Sequence, residues 1–76
     1  MEEIDLKGLR EQAGLSQTRF AGRLETSTSV IANWETGVYS PAMASLVKIA
    51  RVLDLPVAEV IAGAEVSKAK AAREAS

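Results

Sequence analysis

The chain has 76 residues, 47% of them apolar and 25% charged, and its ten acidic and nine basic side chains give a formal net charge of −1. This length suffices for one small domain, no apolar run is long enough to cross a bilayer, and the opening MEEIDLK lacks the pattern of a secretory signal. Because cysteine and histidine are both absent, disulfides, most metal sites and most general bases are excluded, so we expect a cytoplasmic protein that is not an enzyme and uses no metal or cofactor.

The spacing of the apolar residues predicts an all-α fold, because they recur at helical intervals and no segment shows the alternation of a strand. The first helix is predicted over residues 5 to 13, where apolar side chains lie three and four positions apart from Leu6 onward. Asp5 suits its N-cap, and Gly14 suits the left-handed conformation that ends a helix.

A second helix is predicted over residues 16 to 24, with Ser16 as its N-cap. Its apolar stripe has the i, i+1, i+4 spacing of a buried face and consists of Phe20, Ala21 and Leu24. The three polar residues that follow, 25 to 27, are enough only for a tight turn between packed helices. Ser27 is the natural N-cap of the next helix.

The third helix has two different faces on a helical wheel. One narrow arc is apolar and holds Val30, Ile31 and Trp34. The opposite arc holds small, mostly polar side chains, namely Thr28, Ser29, Ala32, Asn33 and Thr36. One face therefore packs against the domain and the other is presented to a partner, before Gly37 ends the helix.

Two more helices are predicted after the loop VYSPA. Pro41 is placed to open helix four in its first turn, and the broad apolar face of that helix consists of Met43, Leu46, Val47, Ala50 and Leu53. Pro56 opens a brief fifth helix that ends before Gly63. The remaining AEVSKAKAAREAS has little to bury, so we divide the chain into a domain of residues 1–63 and a charged, alanine-rich tail of residues 64–76, either a frayed helix or disordered.

Together these segments resemble the helix-turn-helix domains of the Cro and phage-repressor family, also called the XRE family. The resemblance covers about residues 5 to 62 and depends on GLSQTRFAGRL, STSVIANWETG and SPAMASLVKIARVLDL taken together. It implies a compact five-helix, lambda-repressor-like fold in which helix two lies across the DNA backbone and helix three enters the major groove.

The resemblance assigns DNA contacts to particular residues. The candidate base readers lie on the outer face of helix three and are Thr28, Ser29, Ala32 and Asn33. An Asn amide can pair with adenine, hydroxyls donate or accept, and a methyl group contacts the thymine methyl, all without a positive charge. The candidate backbone contacts lie on helix two and at the start of helix three and are Gln17, Thr18, Arg19, Arg23 and Ser27.

Other residues are assigned to the structure of the domain. Family members often pair an Arg of helix one with the Glu that follows the Trp position, which here predicts a structural ion pair between Arg10 and Glu35. The predicted core consists of Leu9, Phe20, Ala21, Leu24, Ile31, Trp34, Leu46, Ile49 and Leu53.

Each DNA assignment has a plainer alternative. Ser27 and Thr28 would simply cap a helix, and Asn33 would be a solvated surface residue. Arg19 and Arg23 would be ordinary solvated charges.

The sequence departs from the family pattern at two points. Glu25 and Thr26 occupy the turn where the family usually has a glycine followed by an apolar residue, and a non-glycine residue at positive φ costs about 1 kcal/mol. Residues 64–76 hold three of the nine basic and two of the ten acidic groups, which leaves six basic and eight acidic groups in the domain. Because most DNA-binding domains are basic, we expect low non-specific affinity and a shallow salt dependence from about 2 to 4 basic contacts per protomer.

Two functions stay open at this stage. The first is a sequence-specific regulator that binds double-stranded DNA, a repressor that occupies a pseudo-palindromic operator as a homodimer. Its candidate dimer interface combines Val52, an apolar residue on the polar side of helix four, with apolar residues of the fifth helix that exceed what one short helix needs, namely Val57, Val60 and Ile61. The alternative, which the acidic domain keeps open, is an antitoxin or adaptor that interacts mainly with a protein partner and binds DNA weakly or only with that partner.

Overall fold

A computed structural model describes residues 3–75, which form five α-helices and, within that range, no strand. The helices are α1 Leu6–Gln12, α2 Gln17–Arg23, α3 Thr28–Glu35, α4 Met43–Leu53 and α5 Val57–Ala75. The predicted all-α, five-helix fold is confirmed. Residues 1 and 2 of the predicted domain and residue 76 of the predicted tail lie outside the described residues.

Short polar side chains begin the first three helices. At Asp5, Ser16 and Ser27 a side-chain oxygen accepts a hydrogen bond from the backbone N–H three residues later, at 2.9, 3.1 and 3.3 Å respectively. Each bond satisfies one of the N–H groups that the start of a helix leaves without a partner. The three helix starts therefore follow from local sequence.

Three helices end in the same way, with one residue in the left-handed conformation. Gly14, Glu25 and Asp54 have φ values of +73°, +57° and +55°. In each case the next residue donates its N–H to the carbonyl five positions back, at 3.3, 2.9 and 3.0 Å, which satisfies an otherwise free helix carbonyl. The sequence does not indicate the left-handed residue at Asp54, because no glycine marks that break.

The inner faces of all five helices meet in one core. Its buried apolar side chains are Leu6, Leu9, Leu15, Phe20, Ala21, Leu24, Ile31, Leu46, Ile49, Ala50, Leu53 and Val60. Trp34 is partly buried and packs against this cluster. Every residue of the predicted core therefore lies in the core or against it.

The start of α4 differs from the prediction. Pro41 does not lie in the first turn but two residues before the first helical residue, where it is buried, and Ala42 is the N-cap. Met43 is 61% exposed and is not part of the apolar face, because α4 joins the core only from Leu46 onward.

Helix α5 is the largest difference from the prediction. It runs without a break for 19 residues, about 28 Å at the usual rise per residue. The predicted end before Gly63 is wrong, and the predicted division between residues 63 and 64 falls inside this helix. A Cβ on Gly63 would lie 2.7 Å from Leu9 Cδ1, so this glycine permits close packing of α5 on α1 and does not end a helix.

The C-terminal half of α5 is tied to the start of α1. Ser67 is 1% exposed, and its Oγ accepts a hydrogen bond from Leu6 N at 3.1 Å. One turn further, Lys70 Nζ lies 3.1 Å from Asp5 Oδ2. Partial burial raises the pKa of Asp5, but the hydrogen bond from Gly8 N and the bond and charge of Lys70 outweigh it, so the pKa lies below its ordinary value.

Across the described residues, no helix combines the length and the hydropathy that a bilayer-spanning segment requires.

Candidate nucleic-acid interface

Helices α2 and α3 form a packed pair, joined by a turn of residues 24–27. Phe20 on α2 and Ile31 on α3 are both buried on the inner side of the pair. The turn closes through Thr26 N, which donates to Ala21 O at 2.9 Å, and Glu25 takes the left-handed conformation that this closure requires. The pair is therefore a compact helix-turn-helix without a glycine at its turn.

A buried ion pair ties α3 to α1 and α2. Arg10 Nε donates to Glu35 Oε2 at 2.6 Å and Arg10 Nη2 to Glu35 Oε1 at 3.2 Å, and the two side chains are only 8% and 5% exposed. Gln17 Nε2, on α2, also donates to Glu35 Oε1, at 3.1 Å. The hydrogen bonds to Glu35 raise the pKa of the Arg10 guanidinium above its ordinary value. We call Arg10, Glu35 and Gln17 the polar cluster.

The end of α3 lies close against α5. Gly37 has a φ of +79°, and a Cβ there would lie 2.6 Å from Ala71 Cβ and 2.7 Å from Ser67 O. Both the conformation and the close approach require glycine. Helix α3 is therefore held by the polar cluster on its inner side and by α5 at its C-terminal end.

The outer face of α3 is uncharged. Thr28 and Ser29 are exposed, Ala32 and Asn33 are half-buried, and within residues 3–75 none of the three polar side chains makes a hydrogen bond. The one charged residue of α3, Glu35, is turned into the polar cluster. The structure therefore brings the four predicted base readers together on one surface of hydroxyl, amide and methyl groups.

The candidate contacts to the DNA backbone differ in exposure and in how far their side chains are already hydrogen-bonded within the domain. Thr18 and Arg19 are exposed on the first turn of α2. The amide of Gln17 is partly committed to Glu35, and the hydroxyl of Ser27 caps α3, so both have structural roles. Arg23 lies at the opposite end of α2 from Gln17, about 9 Å away along the helix axis.

The candidate dimer interface is only partly at the surface. Val60 is fully buried in the core and cannot contribute to a contact between protomers, so its assignment is wrong. Val52 and Ile61 are partly buried and pack against the core, and Val57 is 38% exposed. Val60 faces inward because α5 is one long helix whose first turns cover the core.

The most exposed large apolar side chains lie elsewhere. Val38, Tyr39 and Met43, between the end of α3 and the start of α4, are 63%, 66% and 61% exposed. The sequence pattern does not single them out, because the first two lie in a loop without helical periodicity. We call these three exposed side chains the apolar patch, and its Tyr39 adjoins α3, since the backbone N–H of Tyr39 donates to Asn33 O at 3.3 Å.

No group of three or more His, Cys, Asp or Glu side chains among the described residues is arranged to hold a metal ion.

The fold and this surface define a class of protein, an all-α domain that presents one helix of a helix-turn-helix pair. The helix-turn-helix family model matches residues 6–60, more than half of the chain. The chain belongs to the Cro and phage-repressor (XRE-type) helix-turn-helix family, which confirms the resemblance seen in the sequence and supports a DNA-binding transcription regulator. No curated protein and no solved structure shows a significant match to the chain.

Proposed function

We propose that the protein is a sequence-specific transcriptional repressor that binds a pseudo-palindromic operator in double-stranded DNA as a homodimer in the cytoplasm. The observation that supports this function best is the outer face of α3. It exposes two hydroxyl side chains with no hydrogen-bond partner among residues 3–75, and the amide of Asn33 follows one turn later. A surface of this composition suits base edges in a major groove, since each of its groups has a matching group there.

Each proposed base reader has a distinct chemistry. The Asn33 amide can donate to and accept from one adenine, and a bidentate pair of this kind discriminates against a wrong base by about 1–3 kcal/mol. Thr28 and Ser29 can donate or accept at several base edges, so they add affinity with less discrimination. The Ala32 methyl favours a thymine methyl.

Backbone contacts would set the position of α3 in the groove. Thr18 and Arg19 are exposed near the start of α2, and Ser27 lies at the start of α3. Gln17 has one amide donor on Glu35 and a second left for a phosphate oxygen. The polar cluster would then hold Gln17 and α3 in one fixed relation to the DNA backbone.

The uncharged face has a consequence for salt dependence. Counterion release scales with the number of phosphates that basic groups neutralise, and the contacts proposed here include few cations. Affinity would therefore depend on base contacts and on the second protomer more than on charge. A homodimer doubles the number of base contacts and the number of phosphate contacts. It also places the two copies of α3 about one DNA turn apart.

We place the contact between protomers on the apolar patch of Val38, Tyr39 and Met43, which is more exposed than the predicted interface residues and adjoins α3. Sedimentation of Tyr39→Ser/Met43→Ser with operator DNA should show loss of the two-protomer complex. Val57→Ser, at the predicted interface, is the matched comparison, and loss of the complex in that variant alone would return the interface to α5.

The proposal is tested by selecting ligands from random DNA duplexes at low salt and sequencing what the protein retains. We expect a pseudo-palindrome. In Asn33→Ala the preference should relax at one symmetric pair of positions, because each protomer loses one bidentate contact.

Gln12→Ala is the matched control, since Gln12 is an exposed amide on α1 and not on the α2–α3 pair. It should recover the wild-type palindrome. Recovery of no enriched sequence by the wild-type protein would contradict base reading by α3.

One observation favours the alternative function, a protein-interaction module. A surface cavity of about 340 Å³ lies between the chain start and α5, and its mainly apolar lining has an acidic edge formed by Glu3 and Glu59. A basic partner segment could cover it. Failure of the DNA selection would favour this function.

A further inference from the structure

A surface cavity of about 180 Å³ lies between the end of α2 and the second half of α4. Its lining residues are Arg23, Leu24, Glu25, Lys48, Arg51 and Val52. Lys48 and Arg51 are one turn apart on α4, so they share a face of that helix, and Arg23 approaches from α2. We call this the cationic cavity.

The three cations of this cavity are not paired with a carboxylate among the described residues. None of them makes an ion pair or a side-chain hydrogen bond with any part of the chain that the structure describes, whereas Arg10 and Lys70 each pair with a carboxylate. The chain has more acidic than basic groups, so a shortage of carboxylates does not explain this. With Glu25 included, the lining has a net charge of +2.

Helix ends explain part of this arrangement. Arg23 and Arg51 lie in the last turns of α2 and α4, where a cation interacts favourably with the helix dipole. Lys48 is outside the last turn of α4 and gains nothing from that effect. The helix dipoles also do not explain why cations from two different helices line the same cavity.

We propose that the cationic cavity binds the phosphate group of a phosphate monoester. Two guanidinium groups can each contact a phosphate bidentately, and a lysine adds a point charge. A phosphate monoester is close to a dianion at neutral pH, so it balances the charge of the lining. The apolar atoms of Leu24 and Val52 then meet the first atoms of the organic substituent.

The size of the cavity limits what it encloses. It is smaller than the roughly 300 Å³ or more of a pocket that surrounds a drug-sized ligand. The phosphate end of the ligand is therefore bound, and the rest extends into solvent.

The cavity is separate from the surface proposed for DNA. No residue of α3 lines it, and Arg23 lies at the opposite end of α2 from Gln17. A DNA phosphate has one negative charge, which would leave the lining positive. We therefore assign Arg23 to phosphate binding in the cationic cavity and not to the proposed contacts with the DNA backbone.

The first experiment titrates the full ¹⁵N-labelled chain with methyl phosphate and, separately, with dimethyl phosphate at pH 7.5 and physiological salt. The first probe is a dianion and the second is a monoanion that resembles the DNA backbone. We expect methyl phosphate to shift the amide signals of residues 23–25 and 48–52 to saturation, with an affinity about fivefold higher than that of dimethyl phosphate. Below pH 6 this advantage should disappear, as the monoester takes up its second proton.

The second experiment compares Lys48→Gln/Arg51→Gln with Lys7→Gln/Lys68→Gln, which removes two exposed cations elsewhere. The first variant should bind methyl phosphate about tenfold more weakly and the control should bind it as the wild type does. If the first variant does not fold, Lys48→Gln, which is not at a helix end, should still weaken binding about threefold.

Equal weakening in the control would show general charge attraction and would overturn the proposal. Equal affinity for the two probes would also overturn it, because the cavity would then suit a DNA backbone. The titration uses no operator, so the failure of the DNA selection and the failure of this site are independent results.

Discussion

Two regions hold the recognition helix, and they do so by different physical means. The polar cluster of Arg10, Glu35 and Gln17 fixes the inner side of α3 through a buried, hydrogen-bonded ion pair. The C-terminal half of α5 fixes its far end through close contact between small groups at Gly37 and Ser67. The polar cluster is therefore destabilised when one charged partner is removed, whereas the contact at Gly37 is destabilised when an atom is added.

This difference explains how an uncharged face can be presented reliably. Both supports lie behind or beyond α3, so neither uses the side chains of its outer face. Its hydroxyl and amide groups therefore remain available to a ligand. Substitutions in the polar cluster and in the contacts of α5 should therefore lower the free energy of unfolding by different amounts.

The largest effect is expected for Glu35→Ala. It leaves the buried Arg10 guanidinium without its counter-charge, which costs about 3–5 kcal/mol of unfolding free energy. The measurement is the urea midpoint, with Glu11→Ala at an exposed position as a control that should change stability by about 0.5 kcal/mol or less. A midpoint close to that of the wild type in Glu35→Ala would show that the polar cluster does not support α3.

Gly37→Ala should have the next largest effect, about 2–3 kcal/mol. A methyl group there must adopt a positive φ and also displace α5. Gly14→Ala is a close match, since Gly14 has a similar φ but no atom within 4 Å of an added Cβ, and it should cost about 1 kcal/mol. Equal urea midpoints for the two variants would mean that α5 moves away from the added methyl group at no cost in stability.

Ser67→Ala is expected to cost about 1–2 kcal/mol, because it leaves the buried Leu6 N–H without its acceptor. The control is Ser40→Ala, at an exposed loop position. If thermal unfolding of the two variants coincides with that of the wild type, the second half of α5 contributes little to the domain, as expected of a tail.

The smallest effect concerns the ion pair of Asp5 with Lys70, whose lysine side chain is 46% exposed. Asp5→Asn preserves a capping side chain but removes the charge, and should cost less than about 1 kcal/mol at pH 7. Because the pKa of Asp5 is lower in the folded protein than its ordinary 3.8, its contribution is present above that pH and is lost as the pH falls through the folded value. Stability curves of the two proteins should therefore converge below about pH 4, and a constant gap would exclude this linkage.

Local sequence predicts the first three helices closely because their boundaries are set by groups within a few residues of each other. Capping oxygens at Asp5, Ser16 and Ser27 bond to N–H groups three residues later, and Gly14 and Gly37 have the left-handed conformation expected of them. The polar arc of α3 follows from the helical period in the same way. Pairing of Arg10 with Glu35 was expected from the resemblance to a family, since 25 residues separate the two partners.

The second half of α5 was not predictable from its own residues. Alanine and charged residues dominate it, and such a composition has little apolar surface to bury. The sequence predicts a helix end at Gly63 because glycine usually marks one, although in the structure this glycine permits close contact with Leu9. The burial of Val60 and the exposure of Met43 likewise depend on neighbours distant in sequence.

By itself, then, the sequence determined the helix starts, the apolar stripes of the core and the uncharged outer face of α3, because these depend on chemistry repeated within one or two turns. Only the tertiary structure decided that α5 continues to Ala75, that Ser67 and Gly37 meet, and that three cations surround one cavity. The physical reason is that close approach between distant segments depends on the shape of both surfaces, and a small residue shows its fit only once its neighbour is in place.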